Sequence, residues 1–241
     1  MTTFFERDTR CALCGSVTRF SIIGSTNSFG SADPDTRPSE MRHSTMNGWV
    51  QRCKACGYCA SVISEAIKGA DAVIKTAEYR EQLCAAAYPT LANSFLCKGI
   101  TDHAARDFAS ATWALVHAAW ACDDAKLLES AAKCRKKAAD MLLIAESHDQ
   151  RVSGQDGGAT ALLVDLLRRS GQFVAARRAI VERPADVPAI ITQVLTFQSK
   201  LIEKNDTAAY VISDALGGVK SSPVTPGPIQ RPRTNPGDLP F

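Results

Sequence analysis

The chain lacks long hydrophobic runs and strongly charged blocks. No apolar stretch reaches the roughly 18 residues that a membrane-spanning helix needs, and the amino terminus has no apolar segment of signal-peptide length. The formal net charge is only +3 over 241 residues, so bulk electrostatics favour neither nucleic acid nor membranes as partners. We therefore expect a soluble, cytoplasmic protein that has no membrane partner.

Residues that build catalytic sites are also scarce. The sequence has four histidines, which show no metal-ligand spacing to one another. It contains no phosphate-binding glycine loop and no Gly-x-Ser-x-Gly nucleophile elbow. Because no nucleophile is evident beside a carboxylate or a histidine, we do not predict an enzyme.

Cysteine, in contrast, is plentiful. There are nine cysteines, but the number is odd, the chain is long, and four of them lie singly in helix-like segments. These features argue against a secreted disulfide scaffold and favour reduced thiols together with a metal site.

Four of the cysteines form two pairs with the same spacing, each followed by a glycine. The pairs are Cys11-Ala-Leu-Cys14-Gly15 and Cys53-Lys-Ala-Cys56-Gly57, with 38 residues between them. Two residues between thiolates let one tight turn direct both sulfurs to a single ion, and the glycine permits a positive φ. Two such turns complete a tetrahedral site, which favours structural Zn²⁺, although sequence alone does not exclude an iron centre.

Other interpretations of these pairs are redox-active motifs or cysteines that only pack. A thioredoxin-like motif normally begins a helix in a βαβ context, which is absent here. Cys59 is either a small core residue or a spare ligand or sensor thiol. The remaining cysteines are expected to fill the core: Cys84, Cys97, Cys122 and Cys134.

Composition divides the chain into three regions. Residues 1–61 are predicted to form a small β zinc ribbon, with a strand at Val17–Ile23 and a hairpin that turns at Asn47-Gly48. Residues 62–218 follow a helical period and predict about six or seven helices. Residues 219–241 are proline-rich, since six of the 11 prolines follow Ser221, and we expect this tail to be disordered or extended. The predicted fold class is therefore mainly α.

Two of the predicted helices differ in how they are covered. The apolar residues from Leu127 to Ala145 form one stripe, whereas those from Asp107 to Cys122 form two, so the latter helix is expected to be covered on both sides. Trp120 is predicted to be a core aromatic, and Asp123-Asp124 is predicted to cap the helix that begins near Ala125. The basic run from Lys133 to Lys137 is predicted to be a solvated helix face that is partly paired with Glu129 and Asp140.

A charged loop that contains two prolines lies between the cysteine pairs. Its residues Asp33, Asp35 and Arg37 either lock the loop to the ribbon, with Arg37 paired to a neighbouring acid, or present a candidate binding surface.

The segment Leu162–Ala176 is typical of one tetratricopeptide-type helical hairpin, with the turn at Gly171. No second copy follows at a 34-residue spacing, so a tetratricopeptide-like antiparallel bundle is predicted rather than an array. As a whole, the chain up to about Gly218 resembles an uncharacterised bacterial family, a domain of unknown function that joins a zinc-ribbon-like segment to tetratricopeptide-like helices. The stretches that carry the resemblance are Cys11–Gly15, Asp33–Pro38, Trp49–Tyr58, Ala118–Asp124 and Arg168–Phe173. The resemblance implies this architecture and a four-cysteine metal site, but no activity.

We therefore predict a non-enzymatic, zinc-stabilised adaptor that binds a protein partner through the bundle or the tail. Two alternatives stay open. One is a nucleic-acid-associated protein, in which Arg37, Arg42, Arg52 and Lys54 contact phosphates. The other is an enzyme or a thiol-based sensor centred on Cys59.

Overall fold

Two β-hairpins form the amino-terminal part of the molecule. The computed structural model describes residues 2–182 and 186–217, and every element named here lies within them. Strand β1 (Thr3–Arg10) pairs antiparallel with β2 (Val17–Ser25), from Arg10 opposite Val17 at the turn to Thr3 opposite Ser25. The much shorter β3 (Gln51–Arg52) pairs antiparallel with β4 (Cys59–Ala60).

The strand predicted at Val17–Ile23 is confirmed, but the hairpin predicted at Asn47-Gly48 is wrong. Residues His43–Gly48 form a 3-10 helix instead. Local side-chain hydrogen bonds explain the difference, because the Thr45 hydroxyl donates to the Arg42 carbonyl and accepts from the Trp49 indole N–H. A Cβ at position 48 would lie 3.1 Å from the Ile23 Cδ1 atom, so glycine favours close packing on β2.

From Ala70 onward the described chain is mainly helical, as the helical period predicted. Seven of them have seven or more residues: α2 (Ala77–Leu83), α3 (Thr90–Ala104), α4 (Phe108–Asp124), α5 (Leu128–Ser147), α6 (Gly158–Arg169), α7 (Phe173–Val181) and α8 (Ala189–Glu203). Two four-residue helices, α1 (Ala70–Val73) and α9 (Ile212–Ala215), complete the set.

Helix α4 lies at the centre of the core and packs against both α3 and α5. Its two predicted apolar lines are both buried, as Ala111 and Cys122 on one and Val116 and Trp120 on the other illustrate. The prediction of a helix covered on two sides is therefore confirmed. On α5, Ala131, Cys134, Ala138 and Ala145 of the predicted stripe are buried, whereas Leu127 is 40% exposed.

The same short turn joins three pairs of consecutive helices. Residues 105–107, 125–127 and 170–172 connect α3 to α4, α4 to α5, and α6 to α7. The middle residue of each turn, Arg106, Lys126 or Gly171, has a positive φ, and the next N–H bonds to a carbonyl five residues earlier at 2.8–2.9 Å. This is the hydrogen-bond pattern of a Schellman cap, and it folds each pair into a tight hairpin.

The predicted hairpin around Gly171 is confirmed as α6 and α7, with Ala176 fully buried between them. The described part of the chain includes no helix that is long and apolar enough to cross a membrane. The predicted tail at 219–241 lies outside the described residues.

Candidate metal centre

Both cysteine pairs lie in the turns at the tips of the two hairpins. Cys11 to Gly15 connect β1 to β2, and Cys53 to Gly57 connect β3 to β4. In each turn the glycine N–H donates to the carbonyl of the first cysteine, at 2.9 Å for Gly15 and 3.0 Å for Gly57. Gly15 has φ 74° and Gly57 has φ 80°, which is the backbone conformation that the sequence predicted for these glycines.

The two turns face each other and bring the four sulfurs together. The Sγ atoms of Cys11, Cys14, Cys53 and Cys56 all lie within 4.8 Å of one another. Cys11 to Cys56 is 3.7 Å and Cys14 to Cys53 is 3.6 Å. A tetrahedral ion with sulfur ligands at about 2.3 Å requires sulfurs about 3.8 Å apart, so the cluster fits a four-thiolate metal site.

A hydroxyl hydrogen-bonds to this cluster. Ser16 Oγ lies 3.1 Å from the Cys14 Sγ and 3.2 Å from the Cys53 Sγ. Burial opposes ionisation of Cys53, but hydrogen bonds from the Cys56 backbone and from Ser16 hold its pKa down at about 6. Burial raises the pKa of Cys11. At neutral pH the site therefore offers a thiolate to an incoming cation, and metal binding displaces the protons that remain.

Aromatic residues fix the second hairpin to the helical part. The Tyr79 hydroxyl on α2 donates to the Gly57 carbonyl at 2.9 Å and accepts from the Cys59 N–H at 3.0 Å. Tyr58 is also buried, and its hydroxyl donates to the Glu65 carbonyl. The second cysteine turn is therefore anchored by hydrogen bonds between tyrosine hydroxyls and backbone groups, and these bonds do not depend on the sulfurs.

Cys59 lies outside the four-sulfur cluster. Its side chain is fully buried and its thiol donates to the Gly57 carbonyl, as a small core residue does. Of the cysteines predicted to fill the core, Cys97, Cys122 and Cys134 are buried, but Cys84 is exposed. The prediction for Cys84 is wrong because this residue ends α2 beyond its last buried turn.

The loop that carries Asp33, Asp35 and Arg37 contacts the helices. Asp35 is completely buried and accepts hydrogen bonds from Arg135 at 3.4 Å and from Arg169 at 3.0 Å. Burial opposes its charge, but the two guanidinium groups hold its pKa below the ordinary value. This loop therefore joins helices α5 and α6 by buried ion pairs.

Asp123 completes this ionic network from the end of α4. Its carboxylate accepts hydrogen bonds from both terminal guanidinium nitrogens of Arg135 and lies 2.8 Å from Arg169. Its neighbour Asp124 pairs with Arg37 at 3.6 Å and with the His43 Nε2 atom at 2.9 Å. The predicted helix cap is therefore wrong, because these two acids end α4 and bind basic groups from three other segments.

Asp33 occupies the edge of the network. Its carboxylate lies 3.4 Å from Arg37, as predicted for that pair, and 3.8 Å from Arg169. Burial, together with the nearby Asp35 charge, raises the pKa of Asp33 to about 6. These acids thus hold the loop on the helices rather than on the cysteine-bearing hairpins.

Sequence reasoning missed the helical half of this network. The solvated face predicted for Lys133 to Lys137 is wrong for Arg135, which is 2% exposed, whereas Lys133 does pair with Glu129 on the surface. The available signal was the helical period itself, because Arg135 follows Ala131 by four residues on the buried side of α5. Arg169 gave no such signal, since its partners are distant in sequence.

Comparison with known proteins shows no matching family model, no matching curated protein and no matching solved structure.

Proposed function

We propose that the chain is a non-enzymatic, zinc-stabilised adaptor whose helical part binds an amphipathic helix of a partner protein. The observation that carries this proposal is a groove across the helices that combines an apolar floor with an unpaired acidic rim. The groove has a volume of about 870 Å³, and helices α2, α3 and α5 supply most of its walls.

Zinc is the ion that best suits the cysteine cluster. Four thiolates are soft ligands, and a closed four-sulfur site leaves no position open for substrate. Its role in this proposal is therefore structural. A region of about 60 residues with few large apolar side chains needs this kind of support, and structural zinc can contribute on the order of 10 kcal/mol to folding at neutral pH.

The helical scaffold of the proposal is tetratricopeptide-like. Three helical hairpins with the same three-residue turn support this interpretation, although their left-handed residues at 106, 126 and 171 do not follow a 34-residue period. Membership of the bacterial family that the sequence resembles stays a prediction.

The groove floor consists of aliphatic side chains from three helices. Leu96 and Leu115 are buried at its base, Ile100 and Met141 are partly buried, and Ile144 is 36% exposed. An amphipathic helix that binds in such a groove inserts residues spaced i, i+3, i+4 and i+7. The floor supplies the apolar surface that such residues require.

The rim determines which helix fits. Three exposed acids line the groove, Glu78, Glu81 and Asp140, together with one exposed lysine, Lys137. None of these four side chains has an ion pair in the part of the chain that the structure describes. A partner helix whose apolar face is flanked by lysine or arginine complements this excess of negative charge.

The test is a selection of helical peptides from a random library on the purified full chain, followed by fluorescence anisotropy with the selected peptides. We expect peptides with an apolar stripe flanked by Lys and Arg. The double variant Glu78→Lys/Glu81→Lys should weaken their binding by about tenfold or more, because two complementary charges become repulsive.

Glu203→Lys is the matched control, because Glu203 is an exposed acid on α8 that does not line the groove. This variant should bind the selected peptides as the unmodified chain does. Selection of acidic peptides, or equal weakening by the control, would contradict the proposed groove. Circular dichroism of each variant verifies that the helices are intact.

Neither alternative function keeps all the residues that it requires. Of the four basic residues proposed to contact phosphates, Arg37 pairs with acids of the network and Arg52 donates to the Leu83 carbonyl. Cys59, the proposed sensor thiol, is fully buried. These contacts remove part of the phosphate surface and the solvent access that the two alternatives need.

A further inference from the structure

An aromatic cleft separate from the groove lies between the first hairpin and helix α4. It has a volume of about 520 Å³, within the range of small-molecule sites. The residues that line it come from the end of β2, the following loop, the 3-10 helix and α4: Ile23, Thr26–Ser28, Arg42, Thr45, Trp49 and His117. Neither the metal centre nor the proposed adaptor groove uses these residues.

All three tryptophans of the chain surround the His117 ring. The ring centroids of Trp49, Trp113 and Trp120 lie 5.1, 6.1 and 4.9 Å from the centroid of His117. Phe95 adds a fourth ring at 5.2 Å. Packed aromatic rings of this kind form a rigid wall, on which a planar ligand can stack.

His117 itself is neutral. Burial among these rings, helped by the Lys98 charge, lowers the pKa of His117 to about 3. A neutral imidazole presents one N–H donor and one acceptor nitrogen. No hydrogen bond to another side chain or to the backbone uses either nitrogen within the described residues, and His117 lines the cleft.

Two more polar side chains at the cleft have no hydrogen-bond partner in the described structure. Asn27 lies in the exposed loop after β2, and Arg42 is exposed at the start of the 3-10 helix. Arg42 is the only charged residue among those that line the cleft in the described part of the chain. The cleft thus combines an aromatic wall, a free amide, a neutral imidazole and one unpaired cation.

We propose that this cleft binds a nucleotide unit, with the base against Trp49 and the phosphate on Arg42. The Asn27 amide can form paired hydrogen bonds with the edge of an adenine, which makes adenine the base of choice for the test. A guanidinium binds phosphate oxygens through two parallel N–H groups. A free nucleotide and a single-stranded nucleic acid offer this same chemistry, and the experiment distinguishes them.

The experiment measures quenching of tryptophan fluorescence and the heat of binding on the full chain with its metal. The probes are adenosine 5′-monophosphate, adenosine, inorganic phosphate and a short oligodeoxyadenylate. We expect the monophosphate to bind and to quench, adenosine to bind more weakly, and phosphate alone not to quench. Saturation by the oligonucleotide at much lower concentration identifies a single strand as the natural ligand, whereas equal affinity identifies a free nucleotide.

Arg42→Gln should reduce affinity for the monophosphate by about tenfold or more and leave adenosine binding unchanged, because only the phosphate contact is lost. Arg7→Gln is the control, since Arg7 is an exposed arginine on β1 that lies outside the cleft. Asn27→Ala should weaken both nucleoside and nucleotide. His117→Phe, which keeps the ring packing, should do the same.

Absence of quenching by the monophosphate at millimolar concentration would overturn the proposal. An Arg42→Gln variant that binds the monophosphate as tightly as the Arg7→Gln control would do so too. Asn27 lies in an exposed loop, so its substitution tests the site even if the His117 variant does not fold.

Discussion

Replacing Asp35 by asparagine tests the buried ionic network most directly. Asp35→Asn keeps the shape of the side chain but removes a charge that is completely buried between Arg135 and Arg169. The variant leaves two guanidinium groups with one fewer anion in a site where water does not replace it. We therefore expect a large loss of stability from a change of very few atoms.

The magnitude follows from what the two arginines retain. Removing one partner from a buried ion pair typically costs about 3–5 kcal/mol. Both guanidinium groups still contact Asp123 after the substitution, which places the expected loss at the lower end, about 3 kcal/mol. For a chain of this size that loss corresponds to a decrease in Tm of about 6–12 °C.

The assay is urea denaturation followed by circular dichroism, with thermal melting in parallel. Asp8→Asn is the matched control, because Asp8 forms a bidentate pair with Arg19 on the exposed face of the first hairpin. This control should melt with the unmodified chain, since surface ion pairs contribute little. An Asp35→Asn variant as stable as the Asp8→Asn control would refute the view that the network holds the loop on the helices.

Three further predictions concern the metal, the pH dependence and the helix turns. Purified chain should contain one zinc per molecule, and Cys11→Ser should abolish stoichiometric zinc in elemental analysis, whereas Cys84→Ser, outside the cluster, should not. The pKa of Asp33 in the folded chain is about 6, above the ordinary 3.8, so the contribution of Asp33 to stability falls as the pH rises between those values. Asp33→Asn should therefore flatten this part of a plot of urea midpoint against pH. A plot that the substitution leaves unchanged would contradict the pKa shift. Lys126 has φ 60° in an exposed turn, so Lys126→Gly should raise the free energy of unfolding by up to about 1 kcal/mol. The control Lys136→Gly, inside α5, should lower it by about 1 kcal/mol. A Lys126→Gly variant less stable than Lys136→Gly would exclude backbone strain at the turn.

The sequence predicted those features that depend on local spacing. The Cys-x-x-Cys-Gly pattern predicted two turns with positive-φ glycines, and both are present at Gly15 and Gly57. The helical period predicted the buried faces of α4 and α5 because a 3.6-residue repeat places every third or fourth side chain on one side. Local chemistry alone was sufficient for these features.

Features that depend on distant contacts were not predicted. Asn47-Gly48 suits a hairpin turn, but packing on Ile23 and the hydrogen bonds of Thr45 produce a 3-10 helix instead. The partners of Asp35 are 100 and 134 residues away in the chain. No sequence spacing indicates which arginine an acid contacts across such distances. The sequence therefore identified the charged loop but did not predict that it packs on the helices.

The chain between the two cysteine pairs is fastened at its midpoint as well as at its ends. The 38 residues between the pairs are thereby divided into two shorter spans, one on each side of Asp35. Since the entropic cost of joining the ends of a span rises with its length, the midpoint attachment lowers the entropic cost of bringing the two hairpins together. If the cysteine cluster holds zinc, a chelator should therefore open the cluster without releasing the middle of the segment, which Asp35 holds on α5 and α6.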